Sequence, residues 1–325
     1  MKKKSLCLNA ALAAGLMIVS GAAVADYPDK PIRMIVPYVA GGAADITARV
    51  LAAQMSLELG GTIVVENKPG ANGMIGTDMV AKSAPDGYTL LLDASGPLVV
   101  NPSLYQKTPY DPVKDFSPIS QITSYQYVLV VPEQSSIHGL DELIAAAKEK
   151  PGAMTYGSAG IGAGGHLAGE LLAMQTKTEL SHIPYKGNAQ ALTDVLGGQL
   201  SFTFDTVVTA TPYLRTGKLR GYAVSGPHRA EGLPDIPTMQ ELGYKDFVVT
   251  QFQGLLAPAG TDPKIIAKLH DAAVRAAKHP EVVRKLATDG GNEIVAGTPE
   301  AFAQQIREDL LRYRQLIQDA HVKAE

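Results

Sequence analysis

The chain is short of several residue types that would point to a simple answer. Its 325 residues contain one cysteine and no tryptophan. The cysteine is Cys7, close to the N-terminus, so the remaining sequence offers no disulfide and no thiolate chemistry. There is no basic surplus: 29 Lys and Arg stand against 32 Asp and Glu, a formal charge of −3. A nucleic-acid binder usually shows a basic excess or stripe, and none is present. Beyond the first two dozen residues, no apolar run reaches the roughly 20 residues of a membrane-spanning helix. Signatures of catalysis are missing as well. "GSAG" lacks the spacing of G-x-S-x-G, and the seven histidines form neither H-E-x-x-H nor H-x-x-x-H. "ENKPGANG" is not followed by G-K-[ST] and reads as a turn rather than a phosphate loop.

The N-terminus is informative. Lys2, Lys3 and Lys4 precede an apolar stretch from Leu6 to Val19, and Ala23-Val24-Ala25 offers a small-x-small cleavage site. This predicts a signal peptide over residues 1–25, cut after Ala25. Asn9, Gly15, Ser20 and Gly21 interrupt the run, which argues against an uncleaved anchor. Cys7 is far from the cut, so lipidation is not expected. Without the three leader lysines, 26 basic residues face 32 acidic ones, a balance of −6. The remaining 300 residues can be stabilised by burial alone, and their length suggests two lobes.

Strand and helix signals alternate along the chain. "IRMIVPY" reads as a buried strand, and Ile46, Val50, Leu51, Met55 and Leu59 then recur at helical spacing. "TIVVEN", a helix through "MIGTDMVAKSA" and the strand "YTLLLDA" follow. The pattern restarts with the strand "QYVLVVP" and the helix "LDELIAAAKEK". After them come "AMTYGS", "HLAGELLAMQ", "LSHIPY", "NAQALTDVLGG", "QLSFTFD" and "KLRGYAVS". This is an α/β, parallel doubly wound pattern in two matched halves. No low-complexity linker separates them, so strands that cross between the lobes are expected. Asp262-Pro263 and Thr298-Pro299 read as helix starts, and Phe302, Ile306, Leu310, Tyr313 and Ile317 form a stripe for packing on the first lobe.

Each half holds a glycine-rich loop between a strand and a helix: "VAGGAAD" (Val39–Asp45) and "GSAGIGAGGH" (Gly157–His166). Such loops lie beyond the carboxyl ends of parallel strands, where ligands bind. They offer main-chain N–H groups at a helix N-terminus but no Lys or Arg. One helix dipole supplies about 0.3–1 kcal/mol toward an anion, whereas micromolar affinity needs about −8 kcal/mol. Two termini, several charge-assisted N–H bonds and expulsion of water can reach that figure, so a clamp with half of its site on each lobe is expected. The second loop also contains G-x-G-x-x-G at Gly160, Gly162 and Gly165. The acidic residue a dinucleotide site needs about 20 positions on is matched only by Glu179, before the strand instead of at its end. His166 is a base or a helix-capping residue, Asp45 a ligand contact or a first-turn acid, and Lys186 a ligand cation or a turn lysine. Asp205 ends a strand at the expected cleft, as a ligand contact or a cap.

Taken in order, "YPDKPIRMIVPYVAGGAADITAR", "VENKPGANGMIG", "APDGYTLLL", "NPSLY", "YGSAGIGAGGHLAGELL", "IPYKGNAQALTDVLGGQLSFTFD", "RAEGLPDIPTMQELGY" and "GLLAPAGTDP" are specific. Over essentially all of the exported part, the chain resembles the periplasmic substrate-binding receptors of tripartite tricarboxylate transporters, the Bug receptors. The resemblance implies a two-lobed, Venus-flytrap periplasmic-binding-protein fold with a hinge of crossing strands. It implies residues 26–124 and 248–325 as lobe 1 and 125–247 as lobe 2. A small organic carboxylate would be delivered to membrane transporter subunits, by a receptor that is a monomer, with no metal or cofactor and no catalysis. The resemblance implies a grip by Tyr38, Val39, Ala40, Gly41, Gly42, Ala43, Ala44 and Asp45 on one jaw. On the other it implies Ser158, Ala159, Gly160, Ile161, Gly162, Ala163, Gly164, Gly165 and His166. The far end of the ligand would face Ser95, Gly96, Asp205 and Thr206. An exported hydrolase or dehydrogenase using the second loop, and a ligand sensor for a signalling partner, are the alternatives.

The chain departs from the family pattern in three places. Ala44 stands where G-G-G-T-D has Thr, Ala163 where G-x-G-S has Ser, and Phe252 where a Trp is common. Two hydroxyl donors are therefore missing. Main-chain amides and water must compensate, or the ligand is less charged or more apolar, an aromatic acid for example.

Overall fold

The computed structural model describes residues 27–319; the leader and its cut after Ala25 lie outside them. β1 (Ile32–Val36), α1 (Ala43–Leu59), β2 (Ile63–Asn67), α2 (Met74–Ala81) and β3 (Thr89–Ala94) alternate first. A π-helical turn at Gly96–Val100 and the short α3 (Asn101–Leu104) lead into β4 (Phe116–Pro132). Then come α4 (Leu140–Glu149), β5 (Thr155–Ser158), α5 (Gly164–Thr176), β6 (Ser181–Pro184), α6 (Asn188–Leu196), β7 (Phe202–Thr206), α7 (Val207–Arg215) and β8 (Leu219–Val224). The chain ends with β9 (Thr250–Pro258), α8 (Pro263–Lys278), α9 (Pro280–Val283), a π turn at Arg284–Thr288, β10 (Glu293–Ile294) and α10 (Pro299–Asp319).

The sheet runs in the order β2-β1-β3-β9-β4-β7-β5-β6, with β8 and β10 paired to β4. β1 is parallel to β2 and β3, and β5 is parallel to β6 and β7. The join between these parallel halves is antiparallel, through β9 and β4. The first part of β4, Phe116–Gln126, pairs with β9, and the rest, from Tyr127, pairs with β7 and β8. One strand thus belongs to both halves of a two-lobed α/β fold. The sequence signal placed its start at Gln126, ten residues late. Polar residues hide the earlier part, and two of them are buried with partners: Ser120 Oγ donates to Gly297 O at 2.8 Å and Thr123 Oγ1 to Gln253 Oε1 at 3.1 Å.

Both faces of each half are covered, which explains strands that read as continuous apolar runs. Ile32, Met34 and Val36 pack toward Leu51, Met55 and Leu269 of α1 and α8. Ile35 and Leu91 face the opposite layer, where Phe302, Ile306, Tyr313 and Ile317 of α10 bury the expected stripe. The predicted caps form: Asp262 accepts from Lys264 N–H at 2.8 Å and Thr298 Oγ1 from Ala301 N–H at 3.2 Å. In the other half Tyr156, Phe202 and Phe204 lie under α4 and α5. Among the described residues no helix is long and apolar enough to cross a membrane.

Candidate functional site

The two glycine loops end at helix N-termini without a side-chain cap. Gly42 and Ala163 are the N-cap residues, both extended, and neither makes a side-chain cap bond. The first intrahelical bonds run from Ile46 N–H to Gly42 O and from Leu167 N–H to Ala163 O. The N–H groups of Ala43, Ala44, Gly164 and Gly165 therefore have no acceptor within their helices. In the first loop Gly41 adopts φ +82, a left-handed turn that favours glycine. Asp45 locks that turn from below. One oxygen accepts from Gly41 N–H at 2.9 Å and Arg49 Nε at 3.0 Å, and the other from Asn67 Nδ2 at 2.9 Å. Burial pushes this carboxyl up, but Arg49, Gly41 N–H and Asn67 outweigh it and hold it below the usual carboxylate range.

The second loop rests on a stacked imidazole pair, a buried His166 and a half-buried His182. Gly162 N–H donates to His166 Nδ1 at 3.0 Å, and the His166 ring stacks on His182 at 4.1 Å. Ser158 Oγ accepts from Gly160 N–H at 3.1 Å and lies 2.7 Å from His182 Nε2. A serine–histidine pair therefore exists that no sequence motif announced. It is part of the loop's foundation and not a base-activated nucleophile: Ser158 is 2 % exposed and its hydroxyl donates its one proton to Gly160 O at 2.9 Å, so His182 Nε2 is the donor to Ser158 Oγ. Burial, and then the neighbouring His166, lower His182 from its ordinary 6.5 to about 3.

That shift predicts acid sensitivity. Below about pH 6.5 the unfolded chain takes up the His182 proton first, so stability present above 6.5 is lost as the pH falls toward 3. Asp93 and Asp205 act in the opposite sense. Burial raises them to about 7 and about 6, so their contribution grows as the pH drops. The His182→Gln variant separates the two. The melting temperature of wild type minus that of the variant should shrink by several degrees between pH 7 and pH 4.5. A constant difference would show that His182 titrates normally.

Between the loops lies a narrow cavity of about 30 Å³. One wall is Tyr38, Val39, Gly42, Ala43 and Ala44; the other includes Ala159, Ala163, Gly187, Asn188 and Thr206. Gly187 is the N-cap of α6 and Thr206 the N-cap of α7, so two more helix N-termini open here. The floor is the crossing ribbon: Tyr125 and Tyr127 of β4 and Gln251 and Gln253 of β9. Both tyrosine hydroxyls donate to Gln251 Oε1, at 3.2 and 2.6 Å, and the Gln251 side chain also reaches Tyr313. None of the residues lining the cavity carries a formal charge. The jaws meet at its rim. A Cβ on Gly187 would lie 2.5 Å from Val39 Cγ2, and one on Gly162 would lie 2.7 Å from Leu104 Cδ2.

Of the residues proposed from sequence, Tyr38, Val39, Gly42, Ala43, Ala44, Ala159, Ala163 and Thr206 line the cavity. Ala40 and Gly41 are on the exposed outer turn, and Ile161 is half-buried on the second. Gly164, Gly165 and His166 form the first turn of α5. Ser95 lies behind the wall, where its Oγ accepts from Phe252 N–H at 2.9 Å, and Gly96 sits beneath Tyr38 and Asn72. Asp205 lies behind Asn188 and Thr206, with Oδ1 accepting from Asn188 Nδ2 and Oδ2 from Thr209 Oγ1, both at 2.7 Å. Sequence reasoning missed Ala94, Tyr125, Tyr127, Gly187, Asn188, Gln251 and Gln253. A usable signal was present: "SYQY" and "TQFQ" alternate polar side chains at period 2 within otherwise buried strands.

Residues 47–322 match the family model described as "Tripartite tricarboxylate transporter family receptor". Protein BugT of Bordetella pertussis is 38% identical over 298 residues, which cover 91% of each chain. MatC from Rhodopseudomonas palustris with bound malate is 32% identical, with a TM-score of 0.85 over 90% of this chain and 100% of that one. A further R. palustris structure, with adipate, is 29% identical, with a TM-score of 0.88 over 92% of this chain and 99% of that one.

Proposed function

The chain belongs to the tripartite tricarboxylate transporter receptor family, and we propose that it captures a small organic carboxylate between its two lobes for delivery to a membrane transporter. The observation that carries this reading is the pair of uncapped helix N-termini, α1 and α5, facing each other across one cleft. Their N–H groups and dipoles suit an anion without any cation. The malate and adipate held by two relatives are carboxylates, which supports the same ligand class. The small cavity and the contacts of Val39 with Gly187 and of Gly162 with Leu104 fit a closed state. Solute enters a wider cleft, and closure then removes water from the N–H bonds.

In this reading lobe 1 is residues 26–124 and 248–325 and lobe 2 is residues 125–247, with the hinge where β4 passes from β9 to β7. Tyr38–Asp45 and Ser158–His166 form the grip, Asp45 and His166 by holding the loops in shape. The protein works as a monomeric periplasmic receptor and catalyses nothing. Its Ser158 hydroxyl is buried under the loop and bonded to Gly160 O. Tyr38, Tyr125 and Tyr127 give the cleft apolar ring surface, which suits an aliphatic or aromatic body behind the carboxylate.

The test is a melting-temperature screen of aliphatic and aromatic monocarboxylates and dicarboxylates, each beside its amide. Ligand at 100 times Kd should stabilise by about 2.7 kcal/mol, a rise of several degrees. Amides that stabilise as strongly as their acids would remove the carboxylate assignment.

A further inference from the structure

We propose that the protein has a second ligand site, against the crossing strands, for a small organic cation that carries a carboxamide. It is separate from the carboxylate cavity and does not depend on that reading.

The site is a cavity of about 440 Å³ beside the β4–β9 ribbon, reaching Gln126 on one strand and Thr250 on the other. That volume is in the range of small-molecule pockets. Tyr125 is the one residue that lines both this cavity and the one between the jaws. One wall is the stretch Pro227–Glu231 and the other is Gly291–Glu293, from the proposed lobe 2 and lobe 1 respectively. Gln126 fastens the first wall: its Oε1 accepts from Gly226 N–H at 2.7 Å and its Nε2 donates to His228 O at 3.1 Å. The second wall is a tight turn. Gly291 N–H donates to Ala287 O at 2.6 Å, Asn292 N–H donates to Leu286 O at 2.9 Å, and Gly291 has φ +65. The chain then enters β10, where Glu293 pairs with Ser124.

This turn fixes an asparagine whose side chain is unmet. Asn292 lines the cavity and is 4 % exposed, and neither its Oδ1 nor its Nδ2 has a partner. Buried polar groups are normally bonded. Leucine has nearly the same shape and would avoid the loss, so the amide is held there against stability. A ligand that supplies both bonds accounts for it. The two walls come from different lobes, so hinge movement opens the way to the amide.

The amide also names its partner. A ligand carboxamide donates N–H to Oδ1 and accepts from Nδ2, whereas a carboxylate offers acceptors only and an amine donors only. The charge at the rim favours a cation. Glu231 and Glu293 are exposed, one on each wall, and among the described residues neither has an ion pair. Arg229, the one Lys or Arg on the lining, is already engaged: its Nε lies 3.1 and 3.0 Å from the two Glu241 oxygens, and its Nη1 donates to Pro234 O at 2.9 Å. The balance left at the mouth is negative.

The experiment is calorimetry on the exported chain at pH 7.5 and low salt. The probes are argininamide and lysinamide, beside arginine and lysine, which replace the carboxamide by a carboxylate, and cadaverine, which lacks it. At least one of the two amides should bind at a single site, ten times or more tighter than its free amino acid and than cadaverine. Asn292→Leu should weaken that binding at least tenfold while raising the ligand-free melting temperature by a few degrees, since an unmet buried amide is removed. The exposed pair Glu231→Gln and Glu293→Gln, made together, should weaken it at least fivefold with the melting temperature unchanged. Should the leucine variant fail to fold, the glutamine pair decides. The site is overturned if neither amide binds, if the free amino acids or cadaverine bind as tightly, or if the folded variants bind like wild type. A folded leucine variant that melts below wild type also overturns it, because the amide would then be bonded within the protein.

Discussion

Gly187→Leu should abolish tight capture while leaving the ligand-free protein as stable as before. Gly187 has φ 169, extended backbone open to any residue, so the substitution adds no backbone strain. What it adds is bulk at the rim. A Cβ there would lie 2.5 Å from Val39 Cγ2 on the opposite jaw, and the remaining leucine atoms would wedge the lobes apart. The N–H groups of α1 and α5 could then no longer reach one carboxylate together. Affinity should fall at least 100-fold, about 2.7 kcal/mol, with a melting temperature within about 2 °C of wild type in the absence of ligand. Trimming the other side tests the contact itself. Val39→Ala in the Gly187→Leu background should recover at least tenfold by calorimetry. A Gly187→Leu protein that binds like wild type would show that this rim need not close.

Gly165→Val should injure fold and capture together. Gly165 is in the first turn of α5, and a Cβ on it would lie 2.6 Å from the carbonyl oxygen of Phe204 in β7. That oxygen is main chain of a buried strand and cannot swing aside. Helix α5 must lift from the sheet, which should cost about 1–3 kcal/mol, as overpacking does. For a chain of this size that lowers the melting temperature by roughly 2–10 °C. The same displacement carries the N–H groups of Gly164 and Gly165 off their target, so affinity should drop at least 100-fold. Gly165→Ala should show both effects at smaller size. A Gly165→Val protein of full stability would mean that α5 packs differently from the arrangement seen. The contrast with Gly187→Leu is the useful part: one separates intact jaws, the other breaks a jaw.

The grip was more legible in the sequence than the floor. Glycine clusters and helical stripes are local signals, so Gly41–Gly42 and Gly160–Gly165 could be assigned to strand-to-helix loops without knowing what lay opposite. The two parallel halves followed from the same short-range punctuation. The floor depends on pairing between distant residues. Tyr125 sits opposite Gln251 and Thr123 opposite Gln253 across β4 and β9. Nothing near Gln251 in the chain reveals that its carboxamide will receive two tyrosine hydroxyls. Asp45 and Asp205 show a different limit. An acidic residue beside a helix start can face ligand or serve the backbone, and spacing alone does not choose. The partners do: Gly41, Arg49 and Asn67 surround one, and Asn188 and Thr209 hold the other. His182 was overlooked because its meaning comes from stacking on His166, sixteen residues earlier and one strand away.

The pairing of β3 with β9, Leu91 opposite Leu256, sets an order of assembly. The second half is one continuous stretch of chain, whereas the first is stitched from both ends. A polypeptide emerging N-terminus first can finish its middle while its opening strands still wait for a neighbour more than 150 residues away. Loop closure over that span makes the last docking slow. Truncations that remove β9 should therefore leave a folded central unit trailing unstructured leading strands, not a smaller receptor.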